Sequence, residues 1–182
     1  MKKLISSLLC AVLLFTMAPG ASASVAKKST DEPSQLMKAI LTALDQEKIE
    51  YELEEREKDE DEHLTLYYES EELDSFYGFD IDLFVNEEYN RVQLLLFYLL
   101  EYDEKMDSKE YTQMLEDINQ ANLDYNYVKL YSDKEYSSID AEFSCYVTPT
   151  TAGKIAMQMI DTISLVCDAA YTETLYVYDK EA

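Results

Sequence analysis

The chain contains a single histidine, no tryptophan, and only three each of glycine, proline and cysteine in 182 residues. With one imidazole, multi-histidine metal sites drop out, and a triad built on a histidine base could use only His63. His63 opens a strand beside an acidic run and reads as a surface or edge residue. Paired carboxylates for glycoside hydrolysis need a located cleft, and a chain without tryptophan that marks no cleft argues against them. Glycine is equally telling. Acidic clusters at Asp59-Glu60-Asp61-Glu62, at Glu69 to Asp74 and at Asp80 with Asp82 could offer oxygen ligands to calcium. The only glycine near them is Gly78, and no stretch has the glycine-centred calcium-loop spacing. Basic side chains are scarce too: 15 lysines and arginines stand against 38 aspartates and glutamates, a formal net charge of -23. That balance argues against nucleic acid or anionic lipid as a partner and leaves cationic partners, bound metal ions, or plain solubility.

Apolar runs that approach the length of a membrane span are also missing, apart from one at the start. Lys2 and Lys3 precede a mostly apolar stretch, Leu4 to Met17, and Ala21-Ser22-Ala23 supplies small residues for cleavage. This is the pattern of a secretory signal peptide, residues 1–23, too short and too soon followed by Pro19 and Gly20 for a membrane span. Bulky Leu9 before Cys10 argues against a lipoprotein. The two-lysine start and compact signal point to a bacterium and to a secreted or cell-envelope (periplasmic or extracellular) location. No stable membrane insertion is expected after cleavage. Residues 24–32 carry no apolar period and read as a disordered leader. The remainder, 33–182, is ample for one domain and short for two. Cys145 and Cys167 could meet as a disulfide where a helix crosses the sheet; packing as two small buried thiols is the favoured alternative.

What is present centres on Arg91 to Glu101, RVQLLLFYLLE. Val92, Leu94, Leu96, Tyr98 and Leu100 alternate onto one face, and Leu95, Phe97 and Leu99 fill the other. A run apolar on both faces predicts an inner strand covered on both sides. Around it, Ile49–Glu55, His63–Glu69 and Phe76–Val85 alternate as strands, and Asn86-Glu87-Glu88 turns into the central one. A first helix, opened by Pro33, runs to about Glu47 with Leu36, Ile40, Leu41 and Leu44 on one face. A second begins at Asp107, where Glu110 completes a capping box, and closes near Asn119 and Asn122 through left-handed backbone. Tyr125–Tyr131 and Tyr136–Val147 predict a strand pair about a turn at Asp133-Lys134-Glu135. Thr148 and Pro149 open the last helix, whose apolar stripe runs to about Ala170. Tyr171–Tyr178 fits helix or extended chain equally. The fold class is α+β: an antiparallel sheet with helices packed on it, in the order α-β-β-β-β-α-β-β-α.

That order, with MLEDINQANLDYNYVKLYSDKEYSSIDAEF from Met114 to Phe143, resembles the YbjN-like family. The carrying features are Ile118-Asn119-Gln120-Ala121-Asn122 near a helix end, the strand pair after it, and a long last helix entered through Thr148-Pro149-Thr150. The family's fold is similar to that of type III secretion chaperones. The resemblance implies a small non-enzymatic domain, a sensory-transduction regulator or a chaperone-like binding module, and it brings no catalytic residues and no cofactor. A signal peptide departs from the family's pattern. What transfers is therefore the fold and a habit of binding proteins or peptides, not the loading of a cytoplasmic secretion machine.

No nucleophile is placed for catalysis. Ser144 and Ser164 lie in no nucleophile elbow, and Cys145 or Cys167 would need a nearby base, for which His63 is the only imidazole; core packing is the favoured reading of both. Tyrosines abound, 16 in all. On strands they pack well half-buried, and they are enriched at protein interfaces. If the chain's own helices leave Leu95, Phe97 and Leu99 uncovered, these residues with Tyr67 form a patch for a protein or peptide partner or a second copy in a homodimer. The expectation is an exported, non-catalytic binding domain; an acidic calcium-binding envelope protein is the alternative.

Overall fold

The computed structural model describes residues 32–54, 61–69 and 79–180. The signal-like segment, nearly all of the leader, the stretches 55–60 and 70–78 with their acidic runs, and residues 181–182 lie outside the described residues.

The described chain is α+β. Its elements run α1 (Gln35–Glu47), β1 (Glu50–Leu53), β2 (Glu62–Tyr68), β3 (Phe79–Asn86), β4 (Arg91–Glu101), α2 (Ser108–Asp124), β5 (Lys129–Asp133), β6 (Ser138–Tyr146) and α3 (Ala152–Ala170). The six strands form one antiparallel sheet in the order β1-β2-β3-β4-β6-β5, with β4 inside between β3 and β6.

Strand register decides which side chains meet the helices. Leu64 lies opposite Leu83, Leu83 opposite Leu94, and Leu94 opposite Phe143, so one face carries an unbroken apolar row. Leu64, Leu66, Ile81, Leu83, Val85, Val92, Leu94, Ile139 and Ala141 on that face are buried, together with the apolar stripes of α1, α2 and α3. Each large aliphatic side chain removed from water there contributes about 1.5–3 kcal/mol. α1 also packs on α3, where Gly153 faces the backbone of Ala39 closely enough to exclude a side chain.

Helix ends differ from expectation in instructive ways. Ser34, not Pro33, caps α1: its hydroxyl accepts the Met37 N–H, and its own N–H donates to Glu62 Oε1 at 2.7 Å. Glu62 is tolerated in the buried face because a carboxylate at a helix N-terminus meets unpaired N–H groups and the positive end of the dipole. α2 starts as expected, with the Asp107–Glu110 capping box complete. It does not close through a left-handed asparagine. It runs on to Asp124, and Asn122 instead clamps β5, accepting the Leu130 N–H and donating to the Leu130 carbonyl. The extra helical turn pushes the start of β5 from Tyr125 to Lys129. α3 begins at Ala152 with Thr151 as its cap, because Thr148 to Thr151 first close a separate hydrogen-bonded turn. Tyr171–Tyr178 continues as helix, a π-helical turn to Leu175 and a 3-10 turn after it.

The central strand needs one correction. β4 spans Arg91–Glu101 as expected, but the described helices cover only one of its faces. Leu95 is half-buried and Phe97 is 42% exposed.

Candidate binding face of the sheet

Directly opposed residues share a face, so the register also defines the side away from the helices. Across β1 to β5 one row reads Glu52, Thr65, Asp82, Leu95, Glu142 and Lys129. The next row holds Glu50, Tyr67 and Asp80 side by side, then Phe97, two positions past Leu95, and finally Asp140 opposite Tyr131. In this second row carboxylates and aromatic rings alternate from one edge of the sheet to the other. Apart from Asp140, no residue of these two rows is buried, whereas the middle of the opposite face is buried.

A β-bulge shapes the middle of this face. The β4–β6 register runs unbroken to Leu96 opposite Ala141 and resumes only at Leu100 opposite Ile139. Tyr98 takes left-handed backbone, φ 56°, and its N–H donates to Asp140 Oδ1 at 2.9 Å. Ser138 Oγ donates to the same oxygen at 2.9 Å. Asp140 is only 2% exposed. Burial raises its carboxyl above the ordinary aspartate range, partly offset by those two donors. The bulge turns Phe97 and Tyr98 outward and returns Leu99, 3% exposed, to the core. Of the four expected contact residues, Tyr67, Leu95 and Phe97 thus share the open face, and Leu99 does not.

Toward the other end of the face the side chains are held by neighbours. Asp82 Oδ1 accepts the Thr65 hydroxyl at 2.6 Å and lies 3.0 Å from His63 Nε2. The His63 ring stacks on Phe84, centroids 4.3 Å apart and 7° from parallel. His63 is therefore an inner, half-buried residue, since β1 rather than β2 forms the edge. Gln93 donates to Glu142 at 3.0 Å. Tyr146, opposite Arg91, is fully open.

At the β1–β2 end a cleft of about 770 Å3 opens beside the face. Glu47, Glu50, Tyr67, Tyr68, Glu69 and Asp161 contribute to its walls, and Lys48 is the one basic wall residue among those described. Burial, then the charges of Glu69 and Asp80, raise the Tyr67 phenol, so it stays a neutral donor throughout the physiological range.

Other chemistry is sparse. Cys145 and Cys167 are both free thiols; Cys167 lies inside the core on α3, where burial and then Asp168 push its thiol far up. That is the opposite of nucleophile activation. Among the described residues no group of three or more histidines, cysteines, aspartates or glutamates could hold a metal ion. Asp82 is engaged as above, and the clusters at Asp59-Glu60 and Glu71 to Asp74 lie outside the described residues. No described helix is long and apolar enough to cross a membrane.

Asp140 and the alternation of acids with aromatics were not singled out from the sequence. The sequence carries no signal for the bulge: it shows only in the paired strands, where β4 has 11 residues against 9 in β6.

Comparison of the chain with family models, with curated proteins and with solved structures finds no match.

Proposed function

We propose that this protein is an exported, non-catalytic binding domain that takes a protein or peptide partner on the open face of its sheet. The observation that carries the reading is that face itself. Tyr67, Phe97, Tyr98 and Tyr146 are large, exposed aromatic side chains on the uncovered side or its bulge. Isolated surface aromatics need no explanation, but several on one sheet face have the composition of interface cores. The bulge strengthens the reading, because left-handed backbone at tyrosine carries a local cost and its effect is to turn two rings outward.

The element order, the helices on one side of an antiparallel sheet and the segment Met114–Phe143 also fit a YbjN-like, type III secretion chaperone-like fold. In that reading the chain is a chaperone-like or regulatory module of the cell envelope or the medium. Its function is recognition, and no residue is assigned a catalytic role.

The test is affinity capture from envelope and medium fractions of the producing cell, wild type beside Phe97→Glu. A stoichiometric partner retained by wild type and lost by a folded Phe97→Glu chain is the expected result. Equal capture by both chains would overturn the use of this face. Sedimentation of the purified chain identifies a second copy as the occupant if wild type is dimeric and Phe97→Glu is monomeric.

A further inference from the structure

From the alternating row on the open face we infer the partner's chemistry: it is an extended, lysine- or arginine-bearing polypeptide segment, its cations seated between the carboxylates and on the faces of Tyr67 and Phe97. This rests on the binding-face reading and names the partner class of that same face. Glu50, Tyr67, Asp80 and Phe97 place open acids and rings alternately across four neighbouring strands; beyond them Asp140, buried and bonded to Tyr98 and Ser138, offers no open carboxylate, and Tyr131 closes the row. A ring face attracts a cation through its quadrupole, and an adjacent carboxylate adds direct Coulomb attraction. The chain already shows the arrangement internally: Lys129 Nζ lies 5.9 Å from the centre of the Tyr131 ring.

Charge complementarity selects this occupant over the others. The net charge of -23 makes a second copy repel the first. Along this row no residue is basic. The basic residues of the face belong to other rows: Arg91 toward the other end of β4, His63 against Asp82, and Lys129 on the edge strand opposite Glu142, its Nζ already over the Tyr131 ring, so Tyr67 and Phe97 are the rings open to a partner's cations. At the β1–β2 corner Glu69 adds a further carboxylate beside Tyr67, and the cleft there opens toward α1 and α3 through Glu47 and Asp161. Tyr67, Phe97 and Tyr131 lie two strands apart in turn, about 10 Å at ordinary strand spacing, so about six extended residues would reach from the first to the last.

The experiment is selection of a random dodecapeptide display library on the purified chain, with counter-selection on the Tyr67→Ser/Phe97→Ser double variant, which leaves the charge unchanged. The peptides lost on the double variant should be enriched in lysine and arginine. Synthetic copies should bind it about tenfold or more weakly than wild type, while Glu116→Gln on exposed α2 leaves their affinity unaltered. If the double variant fails to fold, Asp80→Asn takes its place, with an expected weakening of about twofold to fivefold. Basic peptides that bind every variant equally would overturn the inference, since diffuse charge alone would account for them. Face-dependent peptides without basic residues would overturn the partner chemistry and leave the binding face standing. If no peptide depends on the face, both fall.

Discussion

Gly153→Ala pits local propensity against packing, and the geometry decides the sign. In an isolated helix alanine is favoured over glycine by about 1 kcal/mol. Here a Cβ on residue 153 would stand 2.5 Å from the Ala39 carbonyl oxygen and 3.0 Å from Ala43 Cβ. Carbon and carbonyl oxygen rarely approach closer than about 3.3 Å, so α1 must retreat by roughly 0.8 Å. The obstructing atom is backbone and has no rotamer to yield. Overpacking of this kind costs about 1–3 kcal/mol and opens gaps along the rest of the α1–α3 contact. The net expectation is a loss of about 1–2 kcal/mol. Urea denaturation followed by circular dichroism reads it as a lower midpoint with an unchanged slope. Lys154→Ala, exposed one residue on, should stay within about 0.5 kcal/mol of wild type. Adding Ala43→Gly to Gly153→Ala relieves only the 3.0 Å contact and should not restore stability. A midpoint equal to or above wild type for Gly153→Ala would refute the packing argument.

Three further outcomes follow from the same geometry. Glu62→Ala removes the acceptor of the Ser34 N–H at the start of α1 and should cost about 1–2 kcal/mol in the same assay; an unchanged midpoint would mean α1 does not depend on it. Asp140 has its folded carboxyl raised mainly by burial, so the folded chain holds that proton more tightly than the unfolded one. Its contribution is fully present below the unfolded value and is lost as pH rises through the folded value. The stability of Asp140→Asn relative to wild type should therefore rise between pH 4 and pH 7, and a fall over that interval would contradict the assignment. Tyr178 donates a hydrogen bond to Asp117 on α2, which with Tyr125 to Glu173 ties the C-terminal turns down. Tyr178→Phe should cost about 1 kcal/mol and speed amide exchange in 171–180, leaving the sheet's protection unchanged.

Much of the fold is legible in the sequence because binary patterning is strong. The period-two apolar set of β2 and β3, the 11-residue run of β4 and the stripe of α3 all match the elements found. The Asp107–Glu110 box is legible because both partners are local. Most of the misses depend on a contact made outside the element itself, the local Thr148–Thr151 turn before α3 being the exception. Ser34 displaces Pro33 as the start of α1 because Glu62, on another strand, holds it. Asn122 reads as a helix-closing asparagine until β5 is present to be clamped. Leu99 sits in a seamless apolar run, and only its pairing with β6 shows that Tyr98 and Asp140 break the alternation. One-sided coverage of β4 was equally hidden. Leu95 and Phe97 look as buried as Leu94 and Leu96 until the helices are seen to share one side.

The central claim is that partners occupy the face bearing Tyr67 and Phe97, and hydroxyl-radical footprinting of the chain alone and with its captured or selected partner tests it most directly. Tyr67 and Phe97 should lose reactivity in the complex, while Tyr176, exposed on the helical turn after α3, should not. Protection of Tyr176 with Tyr67 and Phe97 unchanged would contradict it.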